Sequence, residues 1–542
     1  MKLRTGIFLT LALTLFSCGK EVVQEIEEVA VLRSVEMIFP EEVVLPRKEA
    51  VEISFRVTDI GFSFSTPGDV VLYLTSGQPA KDFTLEDIRK AEDPGTYSAV
   101  IRDNGSGKDY NSEVRLGIRS VKGKDAFVFS QPFTVRSKES GLHGVTLHTG
   151  LPVIYLDTEE GKPIVSKEDY LSASLTLWDE ESGPEEALAC SVRGRGNTTW
   201  TWPKKPYLVK LDKKESMLGM KKHKRWILLA NFMDRTMMRN MISMKVSSFT
   251  SLDWTPSCRP VELVLNGKHV GNYLLIEQVK VDKDRVPVTE MSAEDNSGEA
   301  VTGGYLLESD FHYDNEVQWI DPHGKCAQMG EGIPFGVKYP DPEDLTSQQL
   351  SYIKKYINDT AEALYGPDFK DPDKGYAAYI DVDSFIDYWI VFEVMGNHEL
   401  GNPGSVYFHK DRGGKLKAGP CWDFDWGILS YNTSPHAKTG LVNGQAIWYS
   451  RLFEDPVFRE RARARFLELK PQLETIPEYI ESLRSILSES AGLNFKMWNP
   501  AEDSSQNNGQ IINGDEYMSF DKAVDRIKTI FKERLSVISN NL

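Results

Sequence analysis

The segment that organises the chain reads Glu393-Val-Met-Gly-Asn-His-Glu-Leu-Gly-Asn-Pro-Gly-Ser-Val-Tyr-Phe-His-Lys-Asp-Arg-Gly-Gly-Lys-Leu-Lys-Ala-Gly-Pro-Cys-Trp-Asp-Phe-Asp-Trp-Gly427. An apolar and aromatic run at residues 384–395 overlaps its start and predicts a buried helix that ends near Gly396. A polar loop follows, and the alternation after it predicts a hairpin of two strands, residues 405–409 and 415–418, joined by a Gly-Gly turn. The hairpin leads into the final Trp-Asp-Phe-Asp-Trp-Gly, where we expect the chemistry to lie.

Two carboxylates, Asp423 and Asp425, alternate with aromatic residues in this last motif. If the backbone there is extended, both side chains lie on one face, because the side chains of a strand repeat with period two. Carboxylates beside aromatic rings need a cation or hydrogen-bond donors to stay charged. Mg²⁺ meets that need, since it takes one or two carboxylates and completes its shell with water and phosphate oxygens. The alternative is a turn in which both side chains accept hydrogen bonds from backbone amides.

Length and charge limit the class of protein. With 542 residues, of which 40% are hydrophobic and 26% charged, the chain is long enough for two or three globular domains. Its net charge is −17 at pH 7. Because nucleic acids and anionic membrane surfaces are polyanions, this charge argues against a general binder of either, and we expect no nucleic-acid partner.

The N-terminus has the features of an export signal. The first 18 residues have a charged start, an apolar run and small residues near the end, and they are too short to span a membrane. Leu15-Phe-Ser-Cys18 resembles a bacterial lipoprotein cleavage box, and Gly19-Lys-Glu21 resembles the export tag of Bacteroidetes surface lipoproteins. This resemblance implies that Cys18 is lipidated and that the acidic residues 19–33 form a tether. We therefore expect an exported lipoprotein anchored to the outer membrane, on its periplasmic or cell-surface face.

The pattern of the chain changes twice after the tether. Residues 34–136 contain short alternating apolar runs between turn residues, which is typical of an antiparallel β-sandwich, here interpreted as a small immunoglobulin-like domain. Residues 137–144 are interpreted as a linker. From residue 145 to the C-terminus, strands followed by helices indicate a larger α+β domain.

A cationic turn lies early in this larger domain, in the sequence Ser191-Val-Arg-Gly-Arg-Gly-Asn197. Its glycines allow the backbone to approach an anion closely, and Arg193 and Arg195 supply positive charge. Lys204, Lys205 and Lys210 flank the strand that follows. The turn matches neither the P-loop nor the dinucleotide fingerprint. Phosphate binding is one interpretation, and pairing of these cations with surface acids is the other.

Two later segments carry polar residues that are expected to be buried. Asp234 is placed to cap a helix that contains Arg239 and Asn240. Further along, an Asn-Gly turn predicts a β-hairpin whose second strand carries Glu277 into an apolar setting. A buried glutamate needs a cationic or hydrogen-bonding partner, so Glu277 is either structural or a ligand contact.

Taken together, these motifs resemble those of the CotH family, atypical kinases similar to spore coat protein H. The resemblance runs from about residue 151 to the C-terminus and rests on the order of the motifs as well as their composition. It is carried by Val192-Arg-Gly-Arg-Gly-Asn-Thr-Thr-Trp200, Pro203-Lys-Lys-Pro-Tyr207, Leu218-Gly-Met220, Trp226-Ile-Leu-Leu-Ala230, Asp234 with Arg239-Asn240, the hairpin that ends at Glu277, and Gly419-Pro-Cys-Trp-Asp-Phe-Asp-Trp-Gly427.

The resemblance implies a divergent protein-kinase-like fold that binds ATP with Mg²⁺ or Mn²⁺ and transfers the γ-phosphoryl group to Ser or Thr of a protein substrate. In the family pattern Asp423 is the metal-binding and catalytic aspartate, and Asp425 is a second metal ligand. Lys205 corresponds to the phosphate-binding lysine, with Lys210 as the alternative.

The family pattern also assigns roles in the loop after the buried helix. Asn397 matches an asparagine at the start of the catalytic loop, and Glu399 stands where many members carry Asp as the catalytic base. Glutamate is longer by one C–C bond, and a misplacement of about 1 Å costs on the order of a hundredfold in rate. The remaining expected nucleotide contacts are Arg193, Arg195, Glu277 and Asn397.

Two other functions stay open. A kinase-fold lipoprotein that has lost catalysis and binds a surface glycan or protein is the main alternative, because little ATP exists outside the cytoplasm. Hydrolysis of a sugar by Asp423, Asp425 and Glu399 is a third, since paired carboxylates also serve that chemistry. Phosphoryl transfer requires the cationic glycine turn and the aspartates to face each other across one cleft.

Overall fold

The computed structural model describes residues 34–38, 42–45, 50–58, 70–104, 111–119, 127–137, 145, 147–179, 183–312, 316–326, 330–498 and 512–542. The chain divides into two compact units, Met1–Lys138 and Glu139–Leu542. The predicted signal segment with Cys18, the tether and residues 138–144 of the predicted linker lie outside the described residues. No helix among the described residues is long and apolar enough to cross a bilayer.

In the first unit the described residues form nine strands: β1 (Ser34–Met37), β2 (Glu42–Leu45), β3 (Ala50–Thr58), β4 (Val70–Leu74), β5 (Phe83–Lys90), β6 (Thr96–Asp103), β7 (Asn111–Arg119), β8 (Phe127–Phe129) and β9 (Phe133–Ser137). One sheet has the order β1-β3-β6-β5 and the other β2-β9-β7-β4, with β8 paired to β7. Apolar side chains from both sheets, such as Phe55 and Leu116, belong to one buried cluster. The immunoglobulin-like topology stays a prediction.

The second unit begins with the strands β10 (Val153–Thr158), β11 (Leu171–Asp179), β12 (Gly183–Pro184), β13 (Leu188–Gly194), β14 (Tyr207–Glu215), β15 (His223–Leu229), β16 (Cys258–Leu265) and β17 (Lys268–Glu277). Their order in the sheet is β10-β16-β17-β15-β14-β13-β11-β12, and β10 also pairs with β11. This extra pairing closes seven of the strands into a ring. The β10–β16 pair is parallel and the other pairs are antiparallel.

The two faces of the ring strands have different partners because successive side chains point to opposite sides. Val192, Val209 and Trp226 belong to a buried cluster made by residues of the ring and its connections. Leu208 and Ile227 point the other way, into the cluster that includes the helices of the unit. That second face carries the functional side chains described below.

The rest of the unit combines a second sheet with helices. Its strands are β18 (Tyr305–Ser309), β19 (Gln318–Cys326), β20 (Gly330–Tyr339), β21 (Val406–Lys410) and β22 (Leu416–Ala418), in the order β19-β20-β18-β21-β22. The helices are α1 (Thr198–Thr201), α2 (Arg239–Ser247), α3 (Ser347–Tyr365), α4 (Val382–Met395), α5 (Tyr449–Leu452), α6 (Pro456–Leu473), α7 (Ile476–Met497) and α8 (Phe520–Asn541). This mixture of strands and helices agrees with the expected α+β class.

Helix α4 is the buried helix expected from the sequence, and it fixes the start of the functional loop. All but one of its residues are buried. Its N-terminal cap is Asp381, whose side chain accepts a hydrogen bond from the Ser384 amide. It ends at Gly396, which has a left-handed φ of 63° that a residue with a side chain rarely adopts. The predicted hairpin follows as β21 and β22.

Candidate functional site

The second unit encloses a cavity of about 910 Å³ to which both ends of the sequence pattern contribute. The glycine turn supplies Arg193 and Arg195, and the two later loops supply Glu399, Asp423 and Asp425. Residues separated by more than two hundred positions therefore face the same space. This is the juxtaposition that phosphoryl transfer requires.

The glycine turn lies where β13 ends. A Cβ atom at Gly194 would overlap the ring of Trp200, and Gly196 has a φ of +86°, so both positions favour glycine on structural grounds. The turn places the Arg195 guanidinium 5.7 Å from the centre of the Trp422 ring. Arg195 is thus held next to the aspartate motif, where its charge lowers the pKa of both Asp423 and Asp425.

Asp423 does not have the extended backbone that the sequence suggested. Its φ is +63°, in the left-handed region, and no strand includes the aspartate motif. Aspartate tolerates this conformation better than most residues, and such backbone strain clusters at functional sites. Burial raises the pKa of Asp423, Arg195 opposes the shift, and Asp310 and Glu308 add to it. The extended backbone that was the condition for a shared face is absent, but both aspartates line the cavity.

Asp425 lies deeper than Asp423 and is 9% exposed. Burial raises its pKa, and the charges of Asp423 and Asp234 raise it further. The Phe424 amide between the two aspartates donates to Oδ1 of Asn240, at 2.8 Å. Helix α2 therefore holds the backbone of the motif in place, which explains the position of Asn240 in the sequence pattern.

Glu399 reaches the cavity from the loop after α4. It is half-buried, and Asn397 positions it by accepting a hydrogen bond from its amide at Oδ1, at 2.8 Å. Burial raises the pKa of Glu399 well above its usual range, and the charges of Asp423 and Asp425 add to the shift. The protonated form of Glu399 is thus favoured relative to that of an exposed glutamate.

Asn397 was expected to contact the nucleotide, and the structure places it elsewhere. It is fully buried behind the loop, does not line the cavity and accepts a hydrogen bond at its carbonyl from Asn443, at 2.8 Å. Asn443 is in turn fixed by the carboxylate of Glu393, which accepts from its amide. Asn397 therefore shapes the loop that carries Glu399.

Three other expected nucleotide contacts also lie away from the cavity. The Lys205 ammonium donates to the Trp200 carbonyl, at 2.7 Å. Lys210 is exposed on β14, 5.8 Å from the centre of the Tyr170 ring. Glu277 is 1% exposed and accepts a hydrogen bond from the Ser257 amide, so its role is structural. A run of lysines in sequence does not show which of them points inward, because Lys204 and Lys205 lie in the loop before β14, whose path the sequence does not give.

The lysine of this run that is buried is Lys204, which the sequence analysis did not single out. Its ammonium donates to the carbonyls of Ala230 and Asn272 and to Oδ1 of Asn494. Three oxygen acceptors match the three N–H donors of an ammonium group. Burial lowers the pKa of Lys204 to about 7. Lys204 thus ties the ring of strands to helix α7.

We expect Lys204→Met to lower the free energy of unfolding by about 3 kcal/mol, because it leaves buried carbonyl groups without a donor. Lys205→Met, next to it, should cost about 1 kcal/mol or less, since its single acceptor is only partly buried. Urea unfolding of the two variants measures the difference. Lys205→Met should also leave nucleotide affinity within about twofold of the wild type, and a larger loss would show that Lys205 does contact phosphate.

The sequence analysis missed further polar residues in the cavity wall. Glu308 and Asp310 lie at the end of β18, and His312 and Tyr407 line the same side. The Tyr407 hydroxyl donates to Glu308, at 2.7 Å. The alternation of two acids in Glu308-Ser-Asp310 repeats the pattern of the aspartate motif, and this was the available signal.

A divalent metal fits the carboxylates, although no complete set of protein ligands exists. Among the described residues, no group of three or more His, Cys, Asp or Glu side chains is arranged to hold a metal ion. Burial raises the pKa of both Asp423 and Asp425, and neighbouring carboxylates add to each shift. Mg²⁺ requires only one or two carboxylates when substrate phosphates and water supply its other ligands. The residues present therefore suit a metal that arrives with a nucleotide.

A family model matches a long part of the chain. The family model described as CotH kinase protein matches residues 192–538. Comparison with curated proteins gives no match. Among solved structures, domains 5-6 of the S-layer protein SbsC align with 37% of this chain and 90% of that chain, at 8% identity and a TM-score of 0.14. That score is too low to support any argument about this fold.

Proposed function

Because the chain belongs to the CotH kinase protein family, we propose that it transfers the γ-phosphoryl group of ATP to Ser or Thr of a protein substrate, with Mg²⁺ or Mn²⁺ as cofactor. The second unit is then a divergent protein-kinase-like domain. The proposal rests chiefly on the cavity in which the cationic glycine turn faces Asp423 and Asp425.

The walls of the cavity supply distinct contacts for the parts of a nucleotide. Leu208, Ile227 and Leu229 offer apolar surface for the base, and residues 278–281 after β17 also line the cavity. Arg195 supplies a charged donor for the phosphates. Such a division between an apolar and a cationic region suits an amphipathic anion such as ATP.

Phosphoryl transfer needs positioning and neutralisation of charge more than covalent help from the protein. Asp423 and Asp425 would hold the metal ion, which neutralises phosphate charge when it is bound. Arg195, which lies next to the aspartate motif, would stabilise the phosphate oxygens, and Glu399 would orient the acceptor hydroxyl. The raised pKa values of the three acids mean that a cation bound among them relieves their repulsion.

A melting experiment tests the proposal directly. ATP with Mg²⁺ or Mn²⁺ at a hundred times its dissociation constant should stabilise the folded protein by about 2.7 kcal/mol. Neither ATP alone nor the metal alone should reproduce the full effect, since each completes the other's ligand set. Incubation with ATP labelled at the γ position then reports transfer to the protein itself or to water. A protein that neither melts higher nor transfers phosphate would contradict the proposal.

One observation favours a second function, a catalytically impaired kinase-fold protein that binds a glycan or another protein. The described residues contain no preformed metal site of three or more protein ligands. A binder would retain the cavity but show no stabilisation by ATP with metal. The same melting experiment therefore separates the two functions.

We also propose that the protein is an exported lipoprotein held at the outer membrane through a lipid on Cys18. The support is the N-terminal sequence alone. Replacing Cys18 with Ser should release the protein from the membrane fraction, and retention of the variant there would contradict the anchor. Such a location implies that the acceptor and the phosphate donor are both present outside the cytoplasm.

A further inference from the structure

Beyond the residues that the sequence pattern assigns, the cavity wall contains a histidine paired with an aspartate. Nδ1 of His312 lies 2.7 Å from Oδ1 of Asp310. The Asp310 side chain is 8% exposed, whereas that of His312 is 38% exposed and lines the cavity. The pair thus has a buried acid and an accessible imidazole.

The pairing fixes which nitrogen of His312 carries the proton. A carboxylate beside Nδ1 accepts its hydrogen, so Nε2 of the neutral ring is left with a free lone pair. Nε2 makes no hydrogen bond to any residue that the structure describes. The Asp310 carboxylate also stabilises the imidazolium that forms when Nε2 takes up a proton.

The pair is attached to the loop that carries Glu399. The Phe311 amide donates to the Pro403 carbonyl, at 2.7 Å, and the Ser405 amide donates to Oδ2 of Asp310, at 3.3 Å. Phe311 thus packs beside Gly404, close to the Glu399 carboxylate. His312 therefore lies on the same side of the cavity as the residue that faces the acceptor hydroxyl.

Glu399 is only partly exposed, whereas His312 is exposed at the cavity wall. Burial raises the pKa of Glu399, and the charges of the two neighbouring aspartates add to the shift. A base that is accessible and oriented is needed. The chain provides such a group in His312.

We propose that His312, oriented by Asp310, is the general base for the acceptor hydroxyl, a role that rests on the proposed kinase function. In the step, Nε2 of His312 takes the proton of the Ser or Thr hydroxyl as its oxygen forms a bond to the γ-phosphorus. The bond between the γ-phosphorus and the bridging oxygen breaks, and ADP leaves with that electron pair. The imidazolium then releases its proton to water.

Several other charged groups line the cavity that His312 faces. From the other elements that meet here they are Glu308 at the end of β18, Glu399 after α4, Asp423 and Asp425 after β22, and Arg195 in the glycine turn. Acids outnumber cations in this set. The pH dependence is therefore measured with metal and ATP bound, when the charge of the aspartates is neutralised.

The chain contains a matched control for the test. Asp321 and His323 have the same Asp-X-His spacing, and Nδ1 of His323 lies 2.9 Å from Oδ1 of Asp321, but neither residue lines the cavity. We would compare His312→Gln, His312→Ala and His323→Gln for ATP affinity and for release of labelled phosphate to the protein and to water.

We expect His312→Gln to lower kcat about a hundredfold or more, which is the usual contribution of a general base, with ATP affinity unchanged. The decline in rate below the pKa of the base should be present in the wild type and His323→Gln and absent in His312→Gln. Added imidazole should raise the rate of His312→Ala, because the side chain is accessible to solvent.

Two results would overturn the inference. A His312→Gln variant with the rate and pH profile of the wild type shows that another group takes the proton. If both His312 variants lose rate, imidazole does not rescue His312→Ala, and the decline in rate at low pH persists in His312→Gln, then His312 has a structural role instead. If the wild type binds no ATP, the proposed function itself fails, and this outcome is separate from the other two.

Discussion

Asp423→Asn should lower the rate of phosphoryl transfer about a thousandfold, equivalent to about 4 kcal/mol of transition-state stabilisation. The amide keeps the size of the side chain but cannot supply the charge that binds a metal ion on the phosphates. The change should act on kcat more than on ATP affinity, because Arg195 and the glycine turn still contact the nucleotide. Single-turnover transfer of labelled phosphate measures it.

The same variant should be more stable than the wild type when no metal is present. The folded-state pKa values of Asp423, Asp425 and Glu399 are raised, so the folded protein keeps protons that the unfolded chain releases. Stability of the metal-free protein therefore falls as the pH rises above the usual carboxylate range, and removing one acid weakens this fall. Asp373→Asn, at an exposed position, is the control and should change neither property. Full activity in Asp423→Asn would remove this residue from the mechanism.

Arg534→Met should lower the free energy of unfolding by about 3–5 kcal/mol, the usual effect of removing one partner from a buried ion pair. Arg534 of α8 and Glu393 of α4 are both 0% exposed and form an ion pair. The guanidinium also donates to the Gly440 carbonyl, at 3.0 Å. The substitution leaves Glu393 charged or forces it to take a proton inside the protein, and either outcome costs stability. Urea unfolding measures the loss.

Two variants make this test specific. The double variant Arg534→Met with Glu393→Gln should recover part of the lost stability, because no unpaired charge is then left inside. Lys355→Met breaks an exposed pair with Asp359 and should change stability by less than about 0.5 kcal/mol. A loss below about 1 kcal/mol in Arg534→Met would show that the pair is dispensable.

The sequence predicted those parts of the fold that depend on local pattern. Helix α4 followed from its apolar run and ended at Gly396 as expected, and the hairpin of β21 and β22 lies within one residue of its predicted bounds. The helix expected to contain Arg239 and Asn240 is α2. In each case the residues of the segment alone determine whether it forms.

The site was harder to predict because it depends on which way each side chain points, and a sequence does not give that orientation. Lys204 and Lys205 are neighbours in sequence. Lys204 is buried and donates to protein carbonyl groups, whereas Lys205 donates to the Trp200 carbonyl. Asn397 lies in the expected loop but does not line the cavity. It accepts a hydrogen bond from the Glu399 amide. His312 escaped notice because it and its partner Asp310 follow β18, a strand that only the fold brings to the cavity.

The ring of strands has a mechanical consequence. An open sheet bends and shears when a ligand draws its edge inward, but the seven ring strands, β10, β11 and β13 to β17, each pair with a neighbour on both sides once β10 meets β11. The glycine turn is therefore attached to a closed and stiff ring of strands. Closure of the cavity around a nucleotide must therefore come from rotation of the whole ring of strands about the segment after β17. Movement of the loops on the other wall is the alternative.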